Sequence, residues 1–210
     1  MAKLLLISDT HGGFGFPAEK ETIEKMYAGD VDAFICMGDV YESELTLAKA
    51  IADGKGVPIF GIPGNHEPKD AVSSHGIENI HGKVVEIYGV KIAGIGGCIR
   101  YKNDNARLFL TEGESVDLAS AMEPADILIT HSPTMKGFEH KDPAHRGLFG
   151  VDRYISLHSP TYHLYGHAHE RGVGKYVVKK GLFKKAVTKQ YGVYRIAVFD
   201  TDTGKLEHLF

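Results

Sequence analysis

With 210 residues, 43% of them hydrophobic and 24% charged, the chain has the size and composition of one globular domain spanning residues 1–210. A net charge of −3 excludes a broadly basic nucleic-acid coat, and no apolar run approaches the roughly 20 residues that cross a bilayer. Two cysteines, Cys36 and Cys98, without CxxC spacing, exclude a disulfide framework and a thiolate zinc site, and both are expected as buried free thiols.

The chain begins with an apolar run, Leu4 to Ile7, that is too short for a signal peptide and leads straight into Asp9, so a cytoplasmic protein is expected. Lys3 to Ser8 predicts the first strand. A helix opened by Pro17, with Ile23, Met26 and Tyr27 at helical spacing, should end at Gly29. Val31 to Met37 reads as a second strand, Glu42 to Asp53 as a helix ended by Gly54, and Val57 to Ile62 as a third strand. This βαβαβ order favours parallel strands with right-handed crossovers. Lys83 to Tyr88 and Val90 to Ile95 then form a hairpin about Tyr88-Gly89. Gly97 to Gly113 reads as loop, Glu114 to Met122 as a short helix, and Asp126 to Thr130 as a strand. A polar loop, Ser132 to Gly147, precedes a helix with Leu148, Val151, Tyr154 and Ile155 on one face. Thr161 to Tyr165 is strand-like. From Val173 onward, β-branched and aromatic residues alternate with lysines, with a turn at Thr201-Asp202-Thr203-Gly204. The fold class is α/β.

Five of the apolar runs end in Asp, Asn or His. Leu4 to Ser8 leads to Asp9 and His11, which point the same way if the chain stays extended. Phe34 to Met37 leads to Gly38-Asp39, and Ile59 to Ile62 to Gly64-Asn65-His66-Glu67. Ile127 to Thr130 leads to His131-Ser132-Pro133, and His163 to Tyr165 to Gly166-His167-Ala168-His169. In α/β sheets the carboxyl ends of strands line one crevice, where ligands bind. Asp9, His11, Asp39, Asn65, His131, His167 and His169 offer seven nitrogen or oxygen donors, too many for one tetrahedral ion but suited to two ions. Donors of this kind without thiolate point to manganese, iron, zinc, cobalt or nickel rather than calcium or magnesium, and manganese is taken as the first candidate. Two divalent ions against two carboxylates leave a site charge of about +2, which attracts an anion and acidifies water. Such a pair can generate hydroxide and clamp an in-line displacement at phosphorus, so phosphoester hydrolysis is expected.

The series Asp9-Thr10-His11, Gly38-Asp39, Gly64-Asn65-His66-Glu67, His131 and Gly166-His167-Ala168-His169 resembles the calcineurin-like metallophosphoesterases, in that family's order over most of the chain. The resemblance implies a four-layer architecture, two β-sheets flanked by helices, with two metals at one edge. It implies that Asp39 bridges the metals. Asp9, His11 and His169 would complete one site, and Asn65, His131 and His167 the other. His66 takes the place of the histidine that protonates the leaving group. Where the phosphoprotein-phosphatase branch has GDxxDRG, this chain reads Gly38-Asp39-Val40-Tyr41-Glu42-Ser43, without the arginine. The run Thr130 to Pro133, followed by Asp142 to Gly147, is closer to small stand-alone phosphoesterases and phosphodiesterases. Phosphoprotein phosphatase activity is therefore not expected, and a phosphodiester is slightly preferred over a monoester. A non-catalytic metal-binding scaffold on the same fold and a nuclease are the alternatives.

The loop Asp142-Pro143-Ala144-His145-Arg146-Gly147 is expected at the rim of the site, where His145 and Arg146, with Asn65, would hold a small phosphoester substrate. His75, His81, His140, His158, His163 and His208 carry no motif and read as structural or solvent-facing. Gly12, Gly13 and Gly15 fit no phosphate-binding pattern and read as a flexible rim. Seven lysines and arginines lie between Arg171 and Lys189 without an acid, and the preferred reading is protection of an exposed strand edge rather than guidance of a polyanion. No stable nucleic-acid complex and no membrane partner are expected.

Overall fold

Strand β1 (Lys3–Ser8) is apolar at successive positions because both of its faces are covered. Leu4 and Leu6 enter a core shared by two sheets, with Ile35, Met37, Ile62, Ile129 and Leu164. Leu5 and Ile7 point the other way, onto a helix. The computed structural model describes residues 2–12, Glu24, Met26, 29–138, 142–180 and 184–209. The helix expected from Pro17 to Gly29 lies largely outside these residues, as do Gly13, Gly15 and His140.

The first sheet joins β1 to β2 (Ala33–Cys36), β3 (Ile59–Gly61) and β4 (Glu78–Asn79) in parallel. On its other side β13 (Arg195–Asp200) and β14 (Lys205–His208) run antiparallel. The second sheet places β6 (Val90–Ile95), β9 (Ile127–Thr130), β10 (Tyr162–Tyr165) and β12 (Lys184–Gly192) in parallel, edged by antiparallel β5 (Lys83–Ile87) and β11 (Val173–Lys180). Helices α1 (Glu42–Lys55) and α2 (Ala71–Ser74) cover the first sheet, and α3 (Glu112–Ala121) and α4 (Phe149–His158) the second. The result is helix, sheet, sheet, helix: the four layers that the motif series implies. Among the described residues no helix is long and apolar enough to cross a membrane.

Several boundaries differ from expectation. Helix α1 continues through Gly54 and stops at Gly56, whose φ of 68° supplies the left-handed cap that the chain needs there. The hairpin turn lies at Tyr88 and Gly89, both at positive φ, as a two-residue primed turn requires. Residues 97–113 are more ordered than a loop. They contain the two-residue strands β7 (Cys98–Ile99) and β8 (Phe109–Leu110) and the start of α3. Thr111 and Glu114 form a reciprocal capping box there, which starts the helix two residues before the expected Glu114.

Candidate metal centre

All five parallel strands that end in donor residues point their carboxyl ends to the same edge. The first sheet delivers Asp9, His11, Asp39 and Asn65; the second delivers His131, His167 and His169. Asp9, His11 and His169 offer ligand atoms within 4.8 Å of one another, and so do Asp39, His131 and His167. Asn65 joins the second group, with its Oδ1 3.0 Å from His131 Nε2.

The backbone is bent to make this possible. Asp9, His11, Asp39, His167 and His169 all have φ between 50° and 63°, a left-handed conformation uncommon outside glycine. Close approach also restricts the glycines beside them. A Cβ on Gly64 would strike Asp39 Oδ1, and one on Gly166 would strike Ser8 Oγ.

Asp39 is held at both oxygens. Its Oδ1 accepts the N–H groups of Asn65 and His66, both at 2.9 Å. Its Oδ2 lies 3.6 Å from His131 Nε2 and 3.8 Å from both His11 Nε2 and His66 Nε2. Burial alone would push this carboxyl up, but His131, His66 and His11 and the His66 N–H pull it down to about 2. Asp9 is similar: burial opposes its charge, yet His169, His131 and Ser8 hold it below the usual carboxylate range. Asp9 Oδ2 accepts from Ser8 Oγ and the His167 N–H, while the buried Oδ1 has no hydrogen-bond partner.

The imidazoles are equally pointed. His131 Nδ1 donates to the Met37 carbonyl at 3.0 Å, so the Nε2 lone pair of the neutral ring faces Asn65 Oδ1 and Asp39 Oδ2. Burial pulls His131 down, but Asp39, Asp9 and Glu67 outweigh it and raise the ring above its ordinary value. His11 Nε2 and His169 Nε2 stand 3.0 Å apart. The Asp9 carboxylate, with Oδ1 3.5 Å from His169 Nε2, raises His169. Burial, with the neighbouring His131, brings His167 down to about 4. His167 Nε2 donates to the Ala144 carbonyl at 2.7 Å, which leaves Nδ1 as the acceptor nitrogen of a neutral ring. Acceptors thus converge on acceptors, and a buried carboxylate oxygen has no donor. This donor set fits two divalent cations.

His66 stands half exposed beside the two groups, its ring 5.1 Å from that of His11. Burial outweighs the attraction of Asp39 and holds His66 below the ordinary imidazole value. The loop expected at the rim is there: Ala144 meets His167, and the His145 ring lies 6.1 Å from the His167 ring. His145 Nδ1 pairs with Asp142 Oδ2 at 3.0 Å, and the Arg146 N–H closes the turn on the Pro143 carbonyl.

Two buried acids support the site without motif recognition having assigned them a role. Glu67 accepts from the Asp39 and Gly64 N–H groups, and burial beside Asp39 pushes it up to about 8. Glu44 accepts at one oxygen from Thr10 Oγ1, the Gly12 N–H and the Tyr41 N–H, which ties α1 to the turn that carries His11. The available signal was local: an acid in the first turn of a helix beginning just after Asp39. Outside the site, His163 is buried, and His81 is half-buried with its Nδ1 accepting the Gly96 N–H at 2.9 Å. Cys36 and Cys98 are free and buried, and burial pushes the Cys36 thiol up to about 12.

A two-sheet sandwich with paired Asp/His groups at the carboxyl ends of its strands defines a metal-binding hydrolase scaffold. The model of the calcineurin-like phosphoesterases matches residues 2–171, and the chain belongs to that family. Among solved structures it is similar to TT1561 of Thermus thermophilus, at 17% identity and a TM-score of 0.63 over 98% of this chain and 97% of that one. It is also similar to the phosphopantetheinyl hydrolase PptH of Mycobacterium tuberculosis, at 16% identity and a TM-score of 0.57 over 92% and 89%. At such identities the likeness is one of fold. No curated protein matches the chain.

Proposed function

We propose that the chain is a dinuclear-metal phosphoesterase acting on small phosphoesters, diesters before monoesters. The supporting observation is the place of Asp39, whose Oδ2 faces His131 of one donor group and His11 of the other. Asp9, His11 and His169 with Asp39 would hold one ion, and Asn65, His131 and His167 with Asp39 the second. Manganese is taken as the first candidate, and the same nitrogen and carboxylate donors would also hold iron, zinc, cobalt or nickel. When bound, two such ions supply Lewis acidity toward phosphoryl oxygens and make water a better nucleophile at neutral pH.

The chain's own residues bind, orient and protonate. Asp9 and Asp39 bring only two negative charges to a site with four imidazole donors, so a phosphate is not repelled. His66 Nε2 would hold the proton that the leaving oxygen needs, a role worth roughly 10²–10⁴-fold. Arg146 and His145, on the rim loop beside His167, would donate to the non-bridging phosphate oxygens, with Asn65 at the base of the site. Turnover of an aryl phosphodiester and an aryl phosphomonoester by the manganese-loaded protein tests the reading. The diester should be hydrolysed faster; no turnover of either ester would contradict it.

A further inference from the structure

Strands β11 and β12 form a ribbon whose register sets lysine against lysine three times: Lys175 against Lys189, Lys179 against Lys185 and Lys180 against Lys184. Like charges directly opposite one another weaken a strand pair. Among the described residues none of the six lies in an ion pair. Lysine repulsion along an edge discourages pairing with other chains, but that role does not call for opposed lysine pairs on both strands.

The two faces of the ribbon differ. Tyr176 and Val178 pack toward the α3 and α4 core, and Tyr176 Oη donates to Asp152. On the other face Val173, Lys175, Val177 and Lys179 stand opposite Tyr191, Lys189, Val187 and Lys185, and all but Tyr191 are exposed. Val177 is 43% and Val187 48% exposed, a valine pair between two lysine pairs. Nor is this a path for substrate. Strand β12 is parallel to β10 and pairs with it only from Lys189 to Gly192, so Lys184 to Thr188 run past the end of β10 remote from His167 and His169. At about 3.3 Å per residue, Lys185 lies roughly 23 Å from the level of Gly192.

We propose that this face docks the protein on an anionic lipid surface, with lysine ammonium groups at the headgroups and Val177 and Val187 at the acyl boundary. Charge complementarity carries the choice. Seven cations and no acid between Arg171 and Lys189, within a whole-chain charge of −3, leave −10 on the rest, so a negative surface attracts the ribbon and repels the body. Lysine stems lie along apolar surface while their heads stay in water, which suits a row of alternating lysine and valine. A nucleic acid would call for guanidinium forks and exposed stacking rings, whereas the exposed residues of this face are lysines and valines, and it would leave the valines against phosphate. Composition points away from a membrane partner; the proposal departs from that expectation on the register of Lys175 with Lys189 and Lys179 with Lys185 about the valine pair.

Co-sedimentation of the full chain with phosphatidylcholine vesicles containing about 30% phosphatidylserine, at about 0.1 M salt, tests the docking. The protein should sediment with these vesicles and not with pure phosphatidylcholine. Lys179→Gln with Lys185→Gln should lower partitioning by about 30-fold. Val177→Ser with Val187→Ser should lower it as well, and both variants should keep the wild-type thermal midpoint and aryl phosphate turnover. Failure of the wild type to bind anionic vesicles, or binding unchanged in the lysine variant, would overturn the proposal. So would tighter binding to an oligonucleotide that ignores the valine variant, or self-association through the valines without vesicle binding.

Discussion

At the scale of single residues, the site is a collection of local costs that only convergence justifies. Asp9, His11, Asp39, His167 and His169 each hold a left-handed backbone, a conformation that costs of order 1–3 kcal/mol outside glycine. His66, which stands outside the two donor groups, should be separable from them. His66→Asn is expected to retain both metals and to lose rate mainly on esters with poor leaving groups, where protonation matters most. Equal losses in a series of aryl phosphates of graded leaving-group pKa would assign it a shaping role instead. His163 tests a different residue-level claim. Its ring is buried between Thr130 Oγ1 at 2.8 Å and Gln190 Nε2 at 3.0 Å, and burial brings it down to about 3. The unfolded chain therefore takes up the proton first as pH falls. Stability is full above about 6.5 and declines toward 3, by about 1.4 kcal/mol per pH unit within that window. Urea midpoints at pH 7.5 and 5 should differ less in His163→Gln than in the wild type, by the equivalent of about 2 kcal/mol; equal slopes would contradict the burial argument.

Elements explain how those residues reach one another. Glu44 on α1 gathers three donors from two loops, and Glu44→Ala would leave two backbone N–H groups and a hydroxyl without their acceptor. A loss of about 1–3 kcal/mol is expected, together with weaker binding at the Asp9 and His11 ion than at the other. Calorimetric metal titration of the variant distinguishes this from uniform weakening. The strand ends were legible in the sequence because β1, β2 and β9 are covered on both faces, so each reads as an apolar run that leads to a donor residue. Residues 97–113 were not, since a two-residue strand has no periodicity to detect and the Thr111–Glu114 box identifies a helix only once read as a cap. Gly54 illustrates a similar limit: two glycines close together both fit a helix end, and the left-handed φ that selects Gly56 is not written in composition. The role of Glu44 is not written in its spacing, because two of its three partners, Thr10 and Gly12, are brought to it by the fold.

Across the whole molecule, neither sheet holds a complete site. Asp39 comes from one layer and His131 from the other, so metal binding and packing of the sandwich are one equilibrium. Removal of metal should therefore lower the thermal midpoint, with a loss of about 2.7 kcal/mol expected from a ligand present at 100 times its dissociation constant. A chelator should leave the midpoint of Asp39→Ala nearly unchanged, because that variant has little paired metal to lose. The most direct measurement is metal content against turnover. Apo protein is titrated with manganese, bound ions per chain are counted by mass spectrometry, and aryl phosphate hydrolysis is followed in the same samples. Two ions per chain, activity that rises only as the second is bound, and collapse of both in Asp39→Ala are the results expected; saturation at one ion, or full activity after chelation, would contradict the dinuclear centre.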